Sequence, residues 1–165
     1  MTENPESEIT KTVTAGNLVS DEMIAELTAD FFAKNEGKNI LIDGAIRTLA
    51  QKSNFDKITK DYQVIYLDLS EQEAVERLGG RRIDPETKEV FGADFAGDVN
   101  PATGNTLITR KDDTPEAIAT RIEAFKSQTL PLIDAFMQDS DITCTTIDAS
   151  ASRDDIWTEI QSLLD

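Results

Sequence analysis

The chain has 165 residues, with 16 Lys and Arg against 32 Asp and Glu, no His and a single Cys. That length suits one domain with its own core, and the short apolar runs and acidic start (Met1-Thr2-Glu3) predict neither a membrane span nor a signal or transit peptide. One cysteine excludes an intramolecular disulfide and a Cys-based zinc site, the lack of His excludes imidazole chemistry, and a net charge of −16 opposes broad binding to nucleic acid or anionic membrane.

Residues 1–8 are polar and acidic, the composition of a disordered tail. A short helix is expected over 9–15, with Gly16 as its C-cap. Ser20 caps a second helix whose first turn holds Asp21 and Glu22, where the dipole favours acids. Ile24, Leu27, Phe31 and Phe32 then repeat at the spacing of an amphipathic face. After a turn at 35–38, Ile40-Leu41-Ile42 ends in Asp43-Gly44 and reads as a buried strand with a carboxylate at its C-terminal end. A second buried strand is expected over 62–69, then a helix over 71–78 capped by Ser70 and closed by Gly79-Gly80. The stretch 84–109 holds Pro85, Gly92, Gly97, Pro101 and Gly104 with weak periodicity, the pattern of a small irregular insert. Thr114 and Pro115 open a long helix carrying Ile118, Ile122, Phe125, Leu132, Ile133 and Phe136, which Pro131 is expected to kink. A third strand over 143–147, in which Cys144 reads as a buried residue, and a closing helix over 152–164 complete the chain. Strands separated by helices predict an α/β fold with a parallel sheet flanked by helices.

The seven arginines matter more than the nine lysines for anion recognition, because a guanidinium fork donates two hydrogen bonds to one phosphate. Their neighbourhoods are specific. An apolar strand ending in Asp has the shape of a carboxylate that holds Mg²⁺ through water. Here it continues as Asp43-Gly44-Ala45-Ile46-Arg47-Thr48-Leu49-Ala50-Gln51. Upstream stands Gly16-Asn17-Leu18-Val19-Ser20-Asp21-Glu22. Downstream stand Arg77-Leu78-Gly79-Gly80-Arg81-Arg82 and Arg110-Lys111-Asp112-Asp113, with Arg121 eleven residues after Arg110. In this order the four segments resemble those of adenylate kinases: G-x-L-V-x-D-E, D-G-F-P-R with a Gln four residues on, R-x-x-G-R-R entering the lid, and R-K-D-D leaving it. The resemblance runs from about residue 8 to the C-terminus.

The resemblance implies a P-loop NTPase-like fold of adenylate kinase type, with a core at 9–82 and 111–165 and an inserted lid at 83–110. It implies ATP and AMP as partners and Mg²⁺ with ATP as cofactor, in a cytoplasmic monomer that binds neither nucleic acid nor membrane. Arg47 would hold the phosphate of the monophosphate, Gln51 would read its adenine edge, and Leu18, Val19 and Gly44 would line the same site. Arg77, Val90 and Phe91 would lie against the ATP base. Arg81, Arg110 and Arg121 would clamp the transferring phosphoryl group. Asp43, with Asp112 or Asp113, would orient Mg²⁺ and its waters.

The sequence departs from the family pattern in three places. No G-x-x-x-x-G-K segment occurs in it, so the backbone cradle for the β- and γ-phosphates is lacking. In the family fold that loop follows the central strand, between those expected here at 40–43 and 64–69; the expectation is therefore an N-terminally incomplete chain that lacks the first strand and phosphate loop, with marginal stability and little intrinsic activity alone. Ala45-Ile46 replaces Phe-Pro ahead of Arg47. In the lid, Asp84, Thr87, Asn100 and Thr103 fall where zinc-free relatives place a polar hydrogen-bonding quartet, so no zinc is expected. Two alternatives stay open: a degenerate nucleotide-binding or interaction module, which either keeps nucleotide contacts without catalysis or borrows a phosphate loop from another polypeptide, and a kinase for UMP or CMP.

Overall fold

The computed structural model describes residues 21–164. The tail at 1–8, the helix at 9–15, the Ser20 cap, Leu18 and Val19 lie outside the described residues. The elements in chain order are α1 (Asp21–Lys34), α2 (Leu49–Phe55), β1 (Gln63–Asp68), α3 (Glu71–Gly79), β2 (Arg82–Ile83) and β3 (Val90–Phe91). They continue with α4 (Pro115–Ala124), a π-helical turn (Phe125–Thr129), α5 (Leu130–Gln138), β4 (Thr143–Asp148) and α6 (Arg153–Leu164). Helix starts follow local chemistry. Ser70 accepts from the Glu73 amide at 3.2 Å while its hydroxyl donates to the Glu73 carboxylate, and Thr114 accepts from the Ala117 amide with Pro115 in the first turn. Among the described residues no helix is long and apolar enough to cross a membrane.

The described chain divides into two compact units. The first contains 21–63 and 128–143, that is α1, α2 and α5. Its core is aromatic: Phe32, Phe55, Tyr62 and Phe136 meet edge to face in succession, with centroids 5.5, 5.0 and 6.2 Å apart. Leu132, Ile133 and Ile142 are buried in the same unit.

The second unit contains 64–127 and 144–164. Its strands β1 and β4 pair in a two-stranded parallel sheet, extended by an Ala149 amide to Asp68 carbonyl bond of 2.8 Å. Ile147 in β4 is fully buried, and Ile118 of α4 is nearly so. The insert expected at 83–110 lies wholly in this unit. There β2 and β3 form an antiparallel pair, Ile83 bridges Ile108, and Val99 bridges Thr106. Gly80 sits where the chain enters the insert, and a Cβ there would stand 2.3 Å from the Ala93 Cβ, so only glycine fits.

Four expectations are corrected. The strand expected to be buried at 62–69 has no buried residue, with Leu67 46% exposed, and Cys144 in β4 is only half-buried, because a sheet of two strands leaves much of its surface uncovered. Residues 40–43 form no strand, and Leu41 is 92% exposed. An apolar run becomes a buried strand only if neighbours supply its hydrogen bonds, and no described strand pairs with this one. The single long helix after Thr114 is three pieces. Pro131 has no N–H for the Ser127 carbonyl and its ring crowds that group, and the distortion is absorbed over the preceding Phe125–Thr129 as a π turn.

Candidate nucleotide site

The candidate residues fall into two groups, one in each unit. In the first unit, Gly44 adopts a left-handed φ of +66°, and Arg47 folds back so that its Nε donates to the Gly44 carbonyl at 2.6 Å. The left-handed φ favours glycine here, and a Cβ on residue 44 would also stand 2.8 Å from Arg47 Nη2 and push the guanidinium aside. Thr48 caps α2 by accepting from the Gln51 amide. The Gln51 side chain then works at both ends: its Oε1 accepts from the Arg47 amide at 2.7 Å and its Nε2 donates to Asp21 at 2.8 Å. The space these groups enclose between α1 and α2, lined also by Ile24, Thr28 and Ile46, is about 10 Å³, room for roughly one water. A base entering here must therefore displace the Asp21 contact. Asp43 is exposed just before this turn.

In the second unit the arrangement is denser. Asp113 has a fully buried carboxylate, and both of its oxygens are engaged. Arg81 binds it as a two-pronged fork, Nε at 2.8 Å and Nη2 at 2.6 Å, and Arg121 Nη1 donates to the same Oδ1 at 3.0 Å. Arg110 forks onto Asp112 at 2.9 and 2.7 Å, while the Asp112 carbonyl accepts from Arg121. The hydrogen bonds from Arg81 hold the Asp113 carboxyl below the usual carboxylate range against the opposing effect of burial, and Arg121 adds to them. Arg110 does the same for Asp112. Three arginines that are 40 residues apart in sequence at their extremes, Arg81 and Arg121, thus share one pair of adjacent carboxylates.

The remaining candidates stand apart from this cluster. Arg77, on the last turn of α3, donates to the Ser150 carbonyl at 3.4 Å. Val90 is 54% exposed, and Phe91 packs on Phe95 with centroids 4.7 Å apart. The insert is organised around Asp84, which accepts from Thr103 Oγ1 at 2.6 Å, Asn100 Nδ2 at 2.8 Å, Asn105 Nδ2 at 3.1 Å, and the Glu86 and Thr87 amides. Thr87 reaches Asp84 through its backbone, whereas the Asn105 side chain joins the network; the polar quartet expected from sequence therefore takes Asn105 in place of the Thr87 hydroxyl.

A groove of about 500 Å³ runs between α3 and α4, floored by Val75, Ile118 and Ile122 and reaching Asp113. Lys126 and Glu71, 2.6 Å apart, stand on its rim. Apart from Asp113, its residues carry no family signature in the sequence, because a groove floor is ordinary helix periodicity.

A family model described as adenylate kinase matches residues 2–141. The chain belongs to the adenylate kinase family. It is 33% identical over 151 residues to an adenylate kinase of Natronomonas pharaonis, covering 92% of this chain and 71% of that protein. It is 35% identical over 136 residues to adenylate kinases of Francisella tularensis, including subspecies novicida and tularensis, covering 78% of this chain and 62% of theirs. The chain thus spans a little under two thirds of the Francisella relatives it matches, and somewhat more of the Natronomonas one.

For an adenylate kinase the donor set bears on Mg²⁺. The family's magnesium is held by one or two carboxylates, waters and substrate phosphates, not by a protein cage. Asp43, exposed at the end of its segment, fits a water-mediated role. Asp113 does not, because both oxygens are already bound by guanidinium groups, and Asp112 is forked by Arg110. Among the described residues no group of three or more acidic or Cys side chains could hold a metal ion.

Proposed function

We propose that this chain is an adenylate kinase-type nucleoside monophosphate kinase, interconverting ATP plus AMP with two ADP in the cytoplasm as a monomer. The observation that supports this most strongly is the buried Asp113 fork on Arg81 and Arg121, with Arg110 and Asp112 beside it. Phosphoryl transfer needs positive charge positioned around the equatorial oxygens and little covalent help from protein. Asp113 uses one edge of each guanidinium, which leaves Nη1 of Arg81 and Nη2 of Arg121 for phosphate oxygens. Such donors cost no reorganisation at the moment of transfer. Arg47 binds the monophosphate's phosphate and Gln51, released from Asp21, reads its base. Arg77, Val90 and Phe91 serve the ATP base. Asp43 would hold Mg²⁺ through water, and the ion would supply charge neutralisation at the ATP phosphates.

A second reading has its own support. The sequence contains no G-x-x-x-x-G-K segment, so phosphate contacts within this chain come from arginine, and turnover by the chain alone is proposed to be slow. A nucleotide-binding module without catalysis would share every arginine contact described. Coupled ADP formation, run beside calorimetric titration of ATP and AMP, separates the two. Turnover that falls about 10²–10³-fold in Arg81→Ala supports the kinase. Binding of both nucleotides without turnover supports the module, and binding of neither overturns both. UMP and CMP replacing AMP with equal rate would overturn the base assignment.

A further inference from the structure

The most deeply placed cation in the first unit has no part in the site above. Lys52 is 8% exposed, and its ammonium is 2.7 Å from both Asp56 Oδ2 and Asp139 Oδ2 and 5.2 Å from the centroid of the Phe136 ring. Asp56 in turn accepts from the Tyr62 hydroxyl at 2.6 Å. Burial alone would lower the Lys52 pKa, but its hydrogen bonds to Asp139 and Asp56 outweigh it and raise it, so the ion stays charged.

The two carboxylates do different things. Asp56 lies four residues on, at the end of the same helix, and a bond to it leaves the helix free to turn as a body. Asp139 lies 87 residues downstream, at the C-cap of α5, and a bond to it fixes α2 against another element. The helix α2 has only seven residues, too few to hold itself in place by its own hydrogen bonds. Adjacent residues on a helix point about 100° apart, so a clamp on Lys52 also sets the direction of Gln51, its immediate neighbour. Gln51 Nε2 donates to Asp21 of α1 at 2.8 Å.

We propose that Lys52 is a positioning residue for base recognition: its ion pair with Asp139 sets the rotation of α2 and so places the Gln51 amide. The inference rests on the reading of Arg47 and Gln51 as the monophosphate site. It separates two parts of that site. Arg47 lies outside α2; its amide bond to Gln51 Oε1 is lost if Gln51 turns, but two ties do not involve α2, Arg47 Nε to the Gly44 carbonyl and Thr129 Oγ1 to the Arg47 carbonyl at 3.3 Å, and they keep the guanidinium in place. Loss of the Lys52 clamp therefore weakens contact with the base and spares contact with the phosphate.

The test is calorimetric titration of the 165-residue chain with AMP and, separately, with ribose 5-phosphate, which carries the phosphate and sugar without the base. Asp139→Asn keeps the shape of the side chain and the Lys52–Asp56 pair but removes the cross-element charge; Lys52→Met removes both bonds, and Lys52→Arg restores a cation. Expected for Asp139→Asn and Lys52→Met is AMP affinity about tenfold weaker, with ribose 5-phosphate affinity within about twofold of the parent, and recovery in Lys52→Arg. Folded variants, by circular dichroism, that bind AMP as the parent does would overturn the proposal, as would equal losses for both ligands. If Lys52→Met does not fold, Asp139→Asn alone decides. Arg47→Ala is the control for the underlying reading: if it leaves AMP binding intact, the monophosphate site itself is misassigned and the inference falls with it.

Discussion

In the first unit four rings, Phe32, Phe55, Tyr62 and Phe136, close a core in which the one buried cation serves as a clamp. In the insert between Arg82 and Ile108 the centre is instead a carboxylate, Asp84, ringed by donors from Thr103, Asn100 and Asn105. The first arrangement draws its stability from apolar surface removed from water, which tolerates small shifts in geometry. The second depends on every donor finding its acceptor, and Asp84 and Asn100 are both fully buried with no buried polar side-chain atom among the described residues left unsatisfied. An insert this small cannot assemble much apolar core, so hydrogen bonds at one buried anion take that place.

The comparison is broken most severely by removing a ring. Phe55 is 4% exposed and touches both Phe32 and Tyr62. Phe55→Ala is expected to cost about 3–5 kcal/mol, through lost transfer energy and the cavity left behind. Urea unfolding followed by circular dichroism measures it, and a cost under about 1 kcal/mol would mean that the rings are not the core they form here. Next in size is Asn100→Ala, which strips one donor from Asp84 and another from Glu89. Its expected cost is about 1–3 kcal/mol, confined to the insert. Hydrogen exchange should show faster exchange at the Ile83 and Leu107 amides, which bond to Ile108 and Asp98, with the amides of α5 unchanged. Loss of protection throughout the chain would show that the insert does not open by itself.

Much of this architecture is legible in the sequence because its signals are local. Ser70 with Glu73, and Thr114 with Pro115, start helices where their side chains meet amides three residues away. The runs that become β1 and β4 were readable as strands for the same reason. What sequence could not show depends on distant partners. Ile40-Leu41-Ile42 has the composition of a strand, but pairing is decided by neighbours elsewhere in the chain. Lys52 reads as one more surface lysine until Asp139 is placed beside it. Likewise the Arg-Lys-Asp-Asp segment marked Asp113 as a candidate metal carboxylate, whereas the fold delivers Arg81 and Arg121 to it. The π turn before Pro131 is an intermediate case: proline signals a distortion, and the geometry of the preceding carbonyls decides its form.

The smallest expected effect comes from pH, and it sharpens the same contrast. Thr103 above all holds the Asp84 carboxyl well below its usual range, Lys52 does so for Asp139, and Arg81 for Asp113. A carboxyl whose pKa is lower when folded contributes stability that is complete above its unfolded pKa of about 3.9 and disappears as pH falls through the folded value. Acid should therefore loosen the insert and the Lys52 clamp below about pH 4, while the ring core, having no charge to lose, responds only through the ions attached to it. On the alkaline side Tyr66 is pushed up to about 12, chiefly by burial and then by its bond to Asp68. A raised tyrosine pKa gives stability that is complete below about pH 10 and is lost above it, as the unfolded chain ionises first. With no histidine, and with burial raising the Cys144 thiol, stability should be nearly flat between about pH 5 and 8. Thermal melts across this range test the point: a step near pH 6.5 would require a titrating group that these residues do not provide, and its absence together with a fall below about pH 4, seen first at the insert amides, would locate the acid-sensitive anions in the polar centre.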